Sequence, residues 1–535
     1  MSSRGSGGSE GNPGRRVSLA PDLEISPIVT GLWQIADAER DGEAGGERIA
    51  SWTRVLGEYA DRGLTTFDMA DHYGSAELIA GRFEATDPGR AQFLTKWVPS
   101  PGTTVPGAAR EAVERALERM GGRIDLLQYH AWSYDDPVWL DHVFDLDELR
   151  NEGLIGHLGV TNMDAIHLRM LLASGVKVAT NQVSLSLLDR RACGALTELC
   201  LESGVGLLAH GTLAGGLLTR RALDMKEAPA SEMPTWSLMK YRRFVDAAGG
   251  WSRFRKALDT LVVVAERIGA DPAPVAMRWA LDSPAVAAVI VGSRLSASDP
   301  DNRGVFDVEL GKEDRRELDA AFGELDPIPG DCGDEYRRPP FLTAAGDLSH
   351  HFDRLPNPYE VRRAAEHFEN PADIPSGAGG KRTCDLGPGD SNGSRTTDAE
   401  RLFVSSGTVW EDMAGYSRAI GEGRRVWVSG TTATHANRLI GGNCAASQTH
   451  FCIDKIAGAL RSLGASLEDV VRTRLFVADM SRWEEVARAH GRRFGKIRPA
   501  NTLVGAELVG EGYLVEIEAE AVVRSTEAEL DDAKS

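Results

Sequence analysis

From Val17 to Leu325 the chain alternates between two hydrophobic patterns. Short apolar runs rich in β-branched and aromatic residues are separated by longer segments whose apolar residues return every three or four positions. The short runs are IVTGLWQIA, TTFDMAD, QFLTKWV, DLLQYHA, IGHLGVTN, VATNQVSLS, VGLLAHGT and AVAAVIVGS. Helical segments between them include EAVERALERMGG, HLRMLLASG, CGALTELCLESG and ALDTLVVVAERIG. Eight strands with intervening helices predict an α/β domain of the closed (β/α)8 TIM-barrel type. An open doubly wound sheet would want G-x-G-x-x-G after its first strand, and TGLWQIAD has none. A second pattern starts near Arg424: RRVWVSGTTATH, then QTHFCIDKIAGALRSLG, then RTRLFVADM, then LVEIEAEAVV. It predicts a hairpin, a long amphipathic helix, a strand, a second helix and two final strands, a small α+β unit.

The stretches between and around these units divide the chain. Residues 1–16 are Gly/Ser-rich and predict a disordered arm, 17–330 the barrel, and 331–398 an irregular linker. Residues 399–524 form the second domain, and 525–535 an acidic tail. Sixty Lys and Arg against 79 Asp and Glu leave a formal charge of −19. That balance excludes the basic face a nucleic-acid binder needs. The longest apolar run, Pro284 to Gly292, is half the ~18 residues of a membrane helix. The first sixteen residues lack the apolar core of a signal peptide. Six cysteines without a C-x-x-C pair point to a reducing, cytoplasmic setting, and with no H-E-x-x-H no metal site is expected.

A barrel of this kind carries its chemistry at the C-terminal ends of its strands. Polar residues interrupt the apolar runs there: Asp68 and Asp71, Lys96, His130, Thr161 with Asn162, Gln182, His210, and Ser293 with Arg294. The series, more than any one member, marks this end as a site.

The run GLTTFDMADHYGSAE, with Lys96 in FLTKWV and His130 in DLLQYHAW, resembles the signature of the aldo-keto reductase family, with Asp68 and Tyr73 at the family's spacing. The resemblance implies reduction of an aldehyde or ketone by hydride transfer, with Tyr73 as proton donor. A phenol has a pKa of about 10 and is protonated at neutral pH. An adjacent ammonium, Lys96, is expected to lower that value, Asp68 to hold Lys96, and His130 to bond the carbonyl oxygen. The cofactor implied is NADP(H), with NAD as the alternative. Thr161, Asn162 and Gln182 match its carboxamide site, and His210 stands where an aromatic ring stacks on the nicotinamide. Gly211, Thr212 and Leu213 fall in the pyrophosphate loop, and Ser293, Arg294, Ser298 and Asn302 at the adenosine end. A planar guanidinium suits a 2′-phosphate, so Arg294 favours NADP, an exposed structural arginine being the competing reading.

The second domain resembles the Rid (YjgF-like) family of reactive-intermediate deaminases, in VSG, in QT followed by the long helix, in EDVV and in LVEIEA. The resemblance implies a chorismate-mutase-like fold, a homotrimer, and a pocket including Tyr416 and Glu516. The family's P-A-R-[ST] run reads Pro499, Ala500, Asn501, Thr502 here. An amide cannot give a carboxylate the charge-assisted fork that arginine gives. The domain is therefore expected to assemble the chain or bind a ligand. Two alternatives are a two-step protein whose second domain hydrolyses a reactive imine or enamine, and a low-turnover nucleotide-sensing scaffold. The partners expected are a small-molecule carbonyl substrate and further copies of the chain, with no nucleic acid and no membrane.

Overall fold

The computed structural model describes residues 15–39, 42, 44–102, 105–296, 302–343, 355–367 and 400–524. Ser298, most of the expected N-terminal arm and the acidic tail lie outside them. The chain divides into two compact units.

The first opens with an antiparallel hairpin, β1 (Val17–Ala20) and β2 (Leu23–Ile25). Eight strands then close a barrel: β3 (Ile28–Gly31), β4 (Thr66–Asp68), β5 (Gln92–Trp97), β6 (Leu126–His130), β7 (His157–Thr161), β8 (Thr180–Ser184), β9 (Gly206–His210) and β10 (Val286–Gly292). They follow one another around the barrel, β10 closing on β3, and every pairing is parallel. All eight predicted strands are present. Their near-continuous apolar character reflects burial on both faces, against the barrel interior and against the helices. Leu19, Leu23 and Ile25 of the hairpin join Val29, Leu94, Leu126, Leu208 and Ile290 in one apolar cluster. Leu19 lies against Gly206, the first residue of β9, so the hairpin stoppers the N-terminal end and leaves the other end for chemistry.

Strand register sets out the site. Lys96 pairs with Gln128, His130 with Thr161, and Thr161 with Gln182, so one rim collects the polar residues. Between β9 and the helix Trp251–Arg267 the chain is not all loop. It contains a helix, Trp236–Ala247, whose cap Thr235 accepts a hydrogen bond from the Leu238 amide at 3.2 Å.

The stretch 331–398, expected to be an irregular linker, is ordered at both of its described parts. Its first part forms a one-turn helix, Asp334–Arg337, on the barrel. Its later part supplies β11 (Glu360–Arg363), which pairs with β12 (Arg401–Ser405) at the edge of the second unit's sheet. That sheet continues through β13 (Ala419–Glu422) and β14 (Arg425–Thr432). A two-residue pair, β15 (Thr434–His435) and β16 (Arg438–Leu439), follows outside it, then β17 (Val470–Val477), β18 (Ala500–Gly505) and β19 (Val515–Val522). The order is β11-β12-β13-β14-β19-β17-β18, with only β17 and β18 parallel. Helices Ala445–Ser462 and Trp483–Phe494 complete the predicted α+β unit. Strict burial alternation along β19 shows one face of the sheet packed and the other facing outward.

Candidate active site

Asp68 ends β4 and Lys96 lies near the end of β5, both almost fully buried. Lys96 Nζ donates to Asp68 Oδ1 and Oδ2 at 2.8 and 2.7 Å and to the Met69 carbonyl at 2.8 Å. Asp68 also accepts from Gln182 (2.7 Å) and from Gln128 (3.2 Å), and Gln182 Nε2 donates to Gln128 Oε1 at 3.0 Å. A buried ion pair persists only when the remaining donors and acceptors are so satisfied.

Tyr73 follows in the turn after β4, its amide bonded to the Ala70 carbonyl. The next two residues hold the turn. Gly74 has φ +55°, and any Cβ there would strike the Glu39 carboxylate, which accepts from the Ser75 amide (2.8 Å) and hydroxyl (2.7 Å). The Lys96 ammonium is 5.0 Å from the Tyr73 ring centre. The expected lowering of the phenol's pKa is not what this arrangement produces. Burial first, and the negative charge of Asp68 next, push Tyr73 well above the usual tyrosine value. Burial also lowers Lys96, opposed by Asp68. Desolvation, a property of the fold and not of the motif, decides the sign. Tyr73 is thereby a protonated phenol at neutral pH. Buried His130 has its ring edge-on to Trp132 at 4.8 Å and to Tyr336 at 5.4 Å.

A cavity of about 1250 Å³ opens from these groups. Asp68, Tyr73, Lys96 and His130 all line it, together with Thr161, Asn162, Gln182, His210, Gly211, Thr212, Leu213, Arg294 and Asn302. Its volume exceeds what a single drug-sized molecule fills, typically ~300–1,000 Å³. Burial, with Lys240 nearby, holds His210 well below the usual histidine value, so its ring is neutral, and its Nε2 lies 3.1 Å from Asn162 Oδ1. The loop after β9 has left-handed backbone at Gly211, Ala214, Gly215 and Gly216, and at Gly216 a Cβ would meet nothing within 4 Å. Thr212 Oγ1 and Gln34 Oε1, both buried, have no hydrogen-bond partner among the described residues. A cavity of this volume, a glycine-rich loop, unspent polar atoms and the Arg294 guanidinium fit a dinucleotide. Ser293 is directed elsewhere: its buried hydroxyl lies 3.1 Å from the Tyr59 hydroxyl and accepts from the Leu295 amide at 2.9 Å, bracing the strand end.

In the second unit the three expected pocket residues do not meet within one chain. Asn501 is exposed on β18, its amide donating to Thr473 Oγ1 at 2.9 Å. Across β17 it faces Ala519, three residues along β19 from Glu516. Two strand spacings and three residues of rise separate Asn501 from Glu516 by roughly 14 Å. Tyr416 is half-buried in the turn before β13, and burial raises the Glu516 carboxyl, opposed by Arg418.

Several cavity residues were not anticipated. Lys240 and Tyr241 come from the helix Trp236–Ala247, and Tyr336 from the stretch expected to be a linker. Outside the cavity lining, Gln128, a partner of Asp68, was not anticipated either; it lies two residues before His130 on the same strand face, a legible signal.

A closed (β/α)8 barrel with a buried Asp–Lys pair, a protonated tyrosine and a histidine at the mouth of a dinucleotide-sized cavity defines a barrel oxidoreductase. A family model described as "Aldo/keto reductase family" matches residues 27–322, more than half of the chain. The chain belongs to the aldo/keto reductase family, and residues 409–523 form a second domain matching the model "Endoribonuclease L-PSP", the YjgF-type family. An uncharacterized protein of Streptomyces coelicolor is 35% identical over 127 residues, covering 24% of this chain and 94% of that protein. The NADH-specific methylglyoxal reductase of Escherichia coli is 35% identical over 118 residues, 21% of this chain and 36% of its own length. The solved structure of a glycerol dehydrogenase from Gluconobacter oxydans is 25% identical, covering 59% of this chain and 97% of that one, with a TM-score of 0.47.

Proposed function

We propose that the barrel reduces an aldehyde or ketone to the alcohol with NADPH, Tyr73 giving the proton. The observation that carries this is a buried Lys96–Asp68 pair beside a phenol kept protonated on the wall of the cavity. Bound reduced nicotinamide supplies the hydride. The chain's own groups do the rest. The substrate oxygen is received by the Tyr73 O–H and by His130, whose ring is held edge-on by Trp132. As negative charge builds on that oxygen, the Tyr73 proton moves to it. The phenolate left behind is stabilised by the ammonium of Lys96, which Asp68 keeps charged. Thr161, Asn162 and Gln182 would hold the carboxamide end of the cofactor, the Gly211–Gly216 loop its pyrophosphate, and Arg294 a 2′-phosphate. The NADP preference rests on Arg294 alone. The related E. coli reductase is by its name NADH-specific, so cofactor choice is a separate measurement. NADPH and NADH oxidation followed by absorbance across aldehydes, ketones and quinones tests the reading, which fails if no carbonyl is reduced with either cofactor.

For the second domain we propose assembly. Trp427 and Val504 are exposed on the outward face or edge of its sheet, around Arg474 bridging Glu518 (3.0 Å) and Glu520 (2.9 Å). A surface mixing exposed apolar groups with an ion-pair network suits packing against copies of itself in a closed trimer. Because Asn501 offers no charge, hydrolysis of amino-acid-derived imines is not part of the proposal.

A further inference from the structure

The helix Trp236–Ala247 lies against the loop that follows β9, and the two fit each other residue by residue. Ser237 and Tyr241 are four residues apart and share one stripe of the helix. Gly211 and Gly215 are likewise four residues apart in the loop, both with left-handed backbone, at φ +70° and +67°. A Cβ on Gly215 would come within 2.9 Å of the Ser237 carbonyl oxygen, and one on Gly211 would overlap the Tyr241 hydroxyl. The loop needs glycine at both points, for its own turn and for the approach of the helix. At Gly211 the atom brought close is a phenol oxygen.

That phenol is 4% exposed, lines the cavity, and takes part in no hydrogen bond among the described residues. Its ring packs on Phe244, 5.4 Å away between centres. Burial, opposed by Lys240, pushes Tyr241 up to about 12, so it keeps its proton at physiological pH and acts as a donor. Thr212 Oγ1, at the next position along the loop, is also buried and without a partner among the described residues. Buried hydroxyls left unpaired are costly, and two of them on one stretch of cavity wall ask for an acceptor that arrives with a ligand.

The cation next to Tyr241 is spent elsewhere. Lys240 Nζ donates to the Tyr336 hydroxyl oxygen at 2.7 Å and lies 3.9 Å from Glu335. Glu335 pairs with Arg191 at 2.7 Å, and Arg191 with Asp189 at 2.7 Å. Burial would raise the Glu335 carboxyl, but Arg191 and Lys240 hold it down to about 2, so it is ionised and the four charges cancel. Arg337 anchors the short helix that carries Glu335 and Tyr336, donating to the carbonyls of Ala131 (3.0 Å) and Asn162 (2.8 Å). What the helix Trp236–Ala247 offers the loop is therefore the neutral donor of Tyr241 rather than the charge of Lys240.

The neighbours of Tyr241 say which end of the cavity this is. Gly211 directly follows His210, at the position assigned to the ring that stacks on the nicotinamide. Tyr241 is also among the groups that, after burial and Asp68, raise the Tyr73 phenol. Between its nicotinamide and its pyrophosphate a dinucleotide carries a ribose and that ribose's 5′-phosphate. We propose that Tyr241 is a cofactor-binding residue: beside Gly211, its O–H donates to an oxygen of the ribose-phosphate on the nicotinamide side of the bound dinucleotide. This rests on the nicotinamide-dependent reductase reading above.

The test is calorimetric titration of the full-length protein with three ligands. They are NADPH, 2′-phospho-ADP-ribose, which lacks only the nicotinamide, and adenosine 2′,5′-bisphosphate, which lacks the second ribose and its phosphate. If NADH binds more tightly than NADPH, the same three without the 2′-phosphate are used. Tyr241→Phe removes one oxygen and keeps the ring. It is expected to weaken the first two ligands about 10-fold and the third by less than about 2-fold, the third thereby reporting that the pocket is intact. Weakening of NADPH alone, of all three alike, or of none overturns the proposal and leaves the reductase reading standing. A wild type that binds neither NADPH nor NADH overturns that reading and the proposal with it.

Discussion

Replacing Asp68 by Asn removes one charge and little volume from the centre of the site. In the wild type the carboxylate takes two bonds from Lys96, one from Gln182 and one from Gln128. The variant leaves an ammonium 5% exposed with no carboxylate against it. Breaking a buried pair by removing one partner costs about 3–5 kcal/mol. At about 2–4 °C per kcal/mol for a domain of 150–250 residues, the barrel's melting temperature should drop by about 6–20 °C near neutral pH. The pH dependence carries the sign. Burial already holds Lys96 below the ordinary lysine value of 10.5, and Asp68 is the largest influence opposing it. Without that charge the folded state binds the proton still less well. The penalty is then fully present where folded Lys96 is protonated in both proteins, and shrinks as pH rises through the variant's lowered folded value, levelling off before 10.5. Differential scanning calorimetry of both proteins at several pH values between neutrality and pH ~9.5 checks this. A neutral-pH loss under about 2 °C, or one that does not narrow with pH, would refute the claim that the Asp68 charge organises the site.

Arg294→Ala should weaken NADPH by about 10- to 100-fold, the loss of a charge-assisted contact, and NADH by less than about 3-fold, read by fluorescence titration. Equal weakening of both would return Arg294 to a structural role. Glu335, held near 2 against an ordinary 4.5, stabilises the fold fully above 4.5 and progressively less as pH falls toward 2. The thermal advantage of wild type over Glu335→Gln, up to about 3 kcal/mol, should therefore shrink below pH ~4.5, and a gap that widens there contradicts the assignment. By light scattering the full chain should have three times its monomer mass, and a coupled assay should find no hydrolysis of 2-iminobutanoate. A monomer would remove the assembly role, and robust hydrolysis would show that Asn501 does not disable the pocket.

How much of this was legible in the sequence depended on whether the signal was local. The eight strands were, because burial on both faces writes itself as continuous apolar runs, and a polar residue at the end of such a run has nowhere to go but the rim. Asp68, Lys96, His130, Thr161 and Gln182 were found that way. Ser293 sits at a strand end too, yet its hydroxyl is taken up by Tyr59 and Leu295, a choice between cavity and scaffold that only packing makes. Tyr336 was hidden because PIPGDCGDEYRRPP has the composition of a linker. What orders it is distant: Arg191, Lys240 and the carbonyls of Ala131 and Asn162. The Tyr73 pKa went the other way from expectation for a related reason. Proximity to Lys96 is readable from a motif, whereas desolvation belongs to the assembled cavity. Strand β11 was missed since four residues, EVRR, carry no period, and only pairing with β12 makes them a strand.

The central claim is that Tyr73 gives the proton, and Tyr73→Phe tests it with a single oxygen atom removed. The measurement is the single-turnover rate of NADPH oxidation by the best carbonyl substrate, with NADPH affinity titrated alongside. The account predicts a rate lower by ~10²-fold or more with affinity within about 2-fold of wild type. A variant that still turns over at a rate near wild type would contradict it.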